Sequence, residues 1–145
     1  MRAGTSGFGL WDRAVEAATV LDLYGEIDIE ARTALGPTVE KLIDREAPQV
    51  VVDLRPVTFL DPGGLRLLSA VQDGVTARGG TLRVVRGAPG VMRLFHFAGL
   101  EFAFVLRDRL PPGLSDADHA PGPAPPGAAP PGPVRPHLTL TFREP

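Results

Sequence analysis

The segment FLDPGGLRLL, residues 59–68, sets a carboxylate, a proline and two glycines between two apolar runs. Asp61 is a good N-cap, Pro62 suits the first helical position, and Leu65, Leu68, Val71 and Val75 then recur on one helical face. Local rules therefore predict a helix that opens here, with Asp61 accepting from the amide of Gly63 or Gly64. Each glycine costs roughly 1 kcal/mol against alanine inside a helix, and less in its first turn. Two of them together point to close approach of another surface to this backbone. A second acidic stretch, GEID at 25–28, places Asp28 as the N-cap of a segment in which Leu35, Val39, Leu42 and Ile43 share a face.

Other chemistries find little support. The chain has no cysteine, which excludes disulfides, thiolate nucleophiles and cysteine-held zinc. His96, His119 and His137 lack metal-ligand spacing, and no serine sits in a nucleophile-elbow context. Asp53 falls inside a buried-strand pattern and reads as a satisfied structural carboxylate. Fifteen basic and seventeen acidic residues are mixed along the chain, for a net charge of −2, so no basic stripe is available to track nucleic acid. No apolar stretch reaches the length of a membrane span or a signal peptide. The expectation is a cytoplasmic protein without enzymatic activity or cofactor.

The elements that must position these residues alternate along the chain. Residues 1–11 read as a loose N-terminus or a poor first strand, and 15–24 as a strand running into Gly25. Pro37 lies inside the following helix, which either kinks there or begins its regular part there. QVVVDLRPV, from Gln49, is a β-branched run typical of a strand buried on both faces. The helix opened at Asp61 ends at Gly79 or Gly80, and TLRVVR is the next strand. In the short helix that follows, Val91, Leu94, Phe95 and Ala98 face the core and Gly99 terminates it. EFAFVL, from Glu101, closes the domain as a last strand. Repeated β-α units predict an α/β fold with a small mixed, largely parallel sheet of four to five strands and helices packed on it.

Ten of the sixteen prolines lie in 111–136, a segment too poor in apolar side chains to build a core, so it reads as a linker. HLTLTFREP, residues 137–145, alternates as a strand does. Either it docks on a sheet edge of this domain or a neighbour, or it is a disordered tail that happens to alternate.

Taken in order, GEID (25–28), VVVDLRPVTFLD (50–61), GGL (63–65) and GVMRLFHFAGL (90–100) resemble a STAS domain, the fold of bacterial anti-sigma factor antagonists and of the cytoplasmic tails of sulfate transporters. The resemblance covers residues 12–110. It implies a partner-binding face around the loop before the second helix, comprising Thr58, Asp61, Pro62, Gly63, Gly64 and Leu65, with Glu26 and Asp28 at the family's kinase contact. In the phosphoswitch members an anti-sigma kinase phosphorylates a serine after the Asp. That position is Pro62 here, and Gly63 replaces a small hydroxyl residue. A phosphate would add about −1.5 to −2 charge beside Asp61, and proline cannot carry it. The implied partner is an anti-sigma factor or a related histidine-kinase-like protein, with a homo-oligomer as a further possibility. The competing reading within the same fold is a scaffold whose proline-rich tail and terminal strand engage another chain.

Overall fold

A computed structural model of the chain describes residues 7–15, 17–100, 102–111, 114 and 140–143. The strands are β1 (Gly7–Val15), β2 (Ala18–Ile27), β3 (Gln49–Asp53), β4 (Val57–Leu60), β5 (Thr81–Val85), β6 (Val105–Arg107) and β7 (Leu140–Arg143). The helices are α1 (Ile29–Ile43), α2 (Pro62–Ala77) and α3 (Pro89–Phe97). The sheet runs β6-β5-β3-β2-β1-β7, with β4 also paired to β2. The β2, β3, β5 and β6 ladders are parallel, as is β2 with β4, while β1 runs antiparallel to both β2 and β7.

The fold class is the expected one, but the sheet has seven strands among the described residues rather than four or five. Two were obscured in the sequence for different reasons. Gly7 and Gly9 obscure the alternation of β1, so residues 7–11 are strand and not a loose end. The expected single strand at 15–24 is instead the end of β1 and the start of β2, a hairpin whose register closes at the pair Val15–Ala18. β4, only four residues long, is separated from β3 by a tight turn in which the Val57 amide donates to the Leu54 carbonyl at 3.0 Å. The backbone of β7 pairs with β1, which answers for residues 140–143 whether that segment docks on a sheet. The rest of the expected linker and tail, apart from residues 111 and 114, lies outside the described residues. The final α/β-unit strand is confined to 105–107, and Phe102 is 92 % exposed.

All three helices pack on one face of the sheet. Ala31, Leu35, Val39 and Ile43 of α1 and Leu65, Leu67, Leu68, Val71 and Val75 of α2 join Leu21, Leu23, Val50, Val52, Leu82 and Val84 in one apolar cluster. Leu42 is only partly buried, and α1 continues through Pro37. On α3, Val91 and Phe95 reach the core, whereas Leu94 is half-buried and Ala98 is exposed. Gly79 and Gly99 follow the helix ends at φ +73 and +70, the left-handed conformation expected of them.

Among the described residues the opposite face carries no helix, and its composition is mixed. Val20, Val51 and Val85 pack there against Leu110 and Leu114. Cross-strand pairing sets Trp11 opposite Asp22 and Asp22 opposite Asp53, and each of these three residues is at most 3 % exposed.

Candidate functional site

The site begins where two parallel strands end side by side. β2 pairs with β3 through Ala18–Asp22 and then changes partner to β4 at Gly25–Ile27. Gly25 makes this possible: its φ is +82, and a Cβ there would lie 2.0 Å from the Gly7 carbonyl oxygen. In the β2–β4 ladder Gly25 pairs with Val57 and Glu26 with Phe59, so Thr58 is the extra residue of a bulge. The bulge leaves Thr58 exposed and Phe59 49 % exposed on the outer strand.

Each of the two strands feeds a helix through an aspartate. Asp28 accepts the Ala31 amide at 3.0 Å, and Asp61 accepts the Gly64 amide at 2.9 Å. The carboxylates expected to be caps are caps, which satisfies amides that a helix start otherwise leaves unpaired. Pro62 takes the first position of α2 and is exposed.

The two glycines do admit a close approach, and the approaching surface is the chain's own β2–α1 junction. A Cβ on Gly64 would lie 1.9 Å from the Ile27 carbonyl oxygen, and one on Gly63 would lie 2.8 Å from the Ile29 backbone. Gly64 and Leu65 are buried and serve this internal packing, so neither offers a side chain to a partner. Of the residues expected on the contact face, Thr58 and Pro62 are exposed, and Glu26, Asp28, Asp61 and Gly63 are half-buried.

Two residues that sequence reasoning passed over stand among them. Ile29 is 60 % exposed at the first turn of α1, and Phe59 is half-exposed on β4. Ile29 had a readable signal, since it falls outside the buried stripe Ala31, Leu35, Val39 and Ile43. Phe59 had none, because its exposure depends on the bulge. The resulting surface has apolar side chains at a strand end and a helix start, with both cap carboxylates already engaged by backbone amides.

Away from this surface, two buried aspartates meet arginines on the sheet. Asp53 accepts from the Arg55 amide at 2.9 Å and from Arg55 Nη2 at 2.7 Å, the satisfied carboxylate its position suggested. Asp22 faces Arg13, with Arg13 Nε 3.7 Å from Asp22 Oδ2. Burial, reinforced by the Asp53 charge and opposed by Arg13 and Arg55, raises Asp22 from the ordinary 3.8 to about 7. Among the described residues no group of His, Asp and Glu side chains has the arrangement of a metal site, and no helix is long and apolar enough to cross a membrane.

Comparison with known proteins agrees with this architecture. The family model for the Mlab, STAS domain matches residues 12–108. Anti-sigma-F factor antagonist RsfB of Mycobacterium tuberculosis (strain CDC 1551 / Oshkosh) is 32 % identical over 95 residues, covering 60 % of this chain and 70 % of the relative. The crystal structure of an anti-sigma factor antagonist from Mycobacterium paratuberculosis superimposes with a TM-score of 0.62 at 26 % identity, covering 74 % of this chain and 91 % of that one. The phosphorylated form of the Bacillus cell fate determinant SpoIIAA shares the fold at a TM-score of 0.54 and 20 % identity, covering 68 % of this chain and 90 % of the other.

Proposed function

The chain belongs to the STAS domain family, and from that premise we propose that it is a non-enzymatic regulatory module that binds an anti-sigma factor, or a related histidine-kinase-like protein, without phosphorylation control at the usual loop position. The observation that carries this reading is the surface at the ends of β2 and β4. Ile29, Phe59, Thr58 and Pro62 are presented outward there, while Asp28 and Asp61 are committed to capping. Exposed apolar groups, one of them aromatic, suit a protein partner, since interface cores are apolar and enriched in aromatic side chains. They offer no nucleophile or general base.

Pro62 supports the second half of the proposal. It retains the helix-start geometry, and its exposed ring has no hydroxyl to accept a phosphoryl group. The scaffold alternative is less favoured because the β7 backbone already has a pairing partner in β1 of its own chain. The partner reading is tested by pull-down from the native cell, then by gel filtration and calorimetry with the purified anti-sigma factor or histidine-kinase-like protein it captures, with and without ATP. One complex of unchanged affinity in both conditions is the expected result. Ile29→Glu and Phe59→Glu should each weaken it by at least about tenfold, the cost of losing one well-packed apolar contact, with melting temperature preserved. Transfer of labelled phosphate to the loop would overturn the constitutive reading. Wild-type affinity in both variants would move the interface elsewhere.

A further inference from the structure

The far edge of the sheet carries a second polar feature unrelated to the partner surface. On the helix-free face, β5–β6 pairing sets Arg83 opposite Val105 and Val85 opposite Arg107, so the two arginines stand on one face of adjacent strands. Arg86 follows β5, and its amide donates to the Arg107 carbonyl at 2.8 Å, which ties the ends of the two strands together. Arg109 follows β6. With Asp108 and Leu110, these four arginines line a concavity of about 520 Å³.

The charge of this wall is unbalanced. Among the described residues that line it, Asp108 is the one carboxylate, 2.8 Å from Arg86 Nη1 and itself 84 % exposed. Arg83, Arg107 and Arg109 have no carboxylate partner among the described residues. A chain of net charge −2 thus places four of its fifteen basic residues around one hollow. Like charges held together repel, and the packed ladder beneath them prevents the strand pair from spreading, so an anion is the natural counterpart. A guanidinium presents a planar fork of donors that matches phosphate oxygens two at a time. Arg83 and Arg107 share the strand face, and Arg86 and Arg109 add their charge to the same hollow.

We propose that this concavity binds a small anion bearing two adjacent phosphate groups, free or as the diphosphate of a nucleotide, because four guanidiniums around one hollow match the charge and oxygen count of such a group better than those of a single phosphate. The test is isothermal titration calorimetry of the full chain with inorganic pyrophosphate and, separately, with adenosine diphosphate. Saturable one-to-one binding of at least one of them is expected, weakened about tenfold or more for each charge-assisted contact removed in Arg83→Gln/Arg107→Gln. Arg107 is exposed and Arg83 half-buried at the sheet's edge, and melting of the variant should stay close to that of the parent. Arg45→Gln/Arg93→Gln, the same loss of charge at exposed positions elsewhere, should leave affinity unchanged. Tighter binding of the nucleotide would identify a base-bearing ligand, and equal binding a free diphosphate. Absence of saturable binding by both probes, or an equal loss in both double variants, would overturn the proposal.

Discussion

The two faces of the sheet are built on opposite principles. Under the helices the strands contribute Leu21, Leu23, Val50, Val52, Leu82 and Val84 to a continuous apolar layer. On the other side the same strands contribute Asp22 and Asp53 between valines, with Arg13 and Arg55 as their counter-charges. Strand alternation makes both from one backbone, since neighbouring residues point to opposite faces. The first face draws stability from area removed from water, which is indifferent to pH. The second contains charge taken out of water, which is costly unless paired and which ties stability to protonation.

The comparison can be broken most forcefully on the apolar side. Leu68→Ala, at a fully buried position on α2, is expected to cost about 2–5 kcal/mol by combining lost transfer energy with a cavity. Denaturant titrations at pH 5 and pH 8 should return the same loss, and a strongly pH-dependent loss would contradict the division between the faces. Asp53→Ala comes next. It removes the acceptor of the Arg55 guanidinium and amide, and because Arg55 is a third exposed the expected cost is about 1–3 kcal/mol, below that of a fully buried pair.

Asp22 sharpens the contrast through pH. With its titration raised to about 7, the folded chain holds a proton between roughly pH 4 and 7 that the unfolded chain has released. Its contribution therefore favours folding at the acid end of that window, declines as pH rises through it, and is level above about 7. Asp22→Asn should flatten that slope and raise stability at pH 8 by about 1–2 kcal/mol after allowing for the lost attraction to Arg13. Trp11, the single tryptophan, pairs across the strand with Asp22, so its fluorescence should follow a transition near pH 7 that the variant lacks. Smallest is Asp61→Ala, which loses one helix cap and about 1 kcal/mol. Thermal unfolding checks it, and an unchanged melting temperature would mean the cap is dispensable.

Legibility followed the range of the interaction. Asp28 and Asp61 were readable as caps because a cap bonds an amide three residues ahead. The glycines at 63 and 64 were readable as points of close approach, but their neighbour was not. Ile27 and Ile29 reach them only after β2 and β4 have paired, more than thirty residues apart in the chain. Leu65 and Leu68 were placed correctly by helical period, whereas the half-buried state of Leu94 depends on how little of α3 the sheet covers. Arg13 and Asp22 escaped notice because nothing local marks them: strand register brings them together.

By itself, then, the sequence determined the three helices and the central strands between them, the helix starts, the glycine stops and the motifs that mark the family, all of which rest on propensity, capping and periodicity over a few residues. Tertiary structure alone decided which side chains face outward at the ends of β2 and β4, what the paired glycines accommodate, and which charges meet on the helix-free face. Those depend on register and bulge, where a shift of one residue turns a side chain from one face of the sheet to the other.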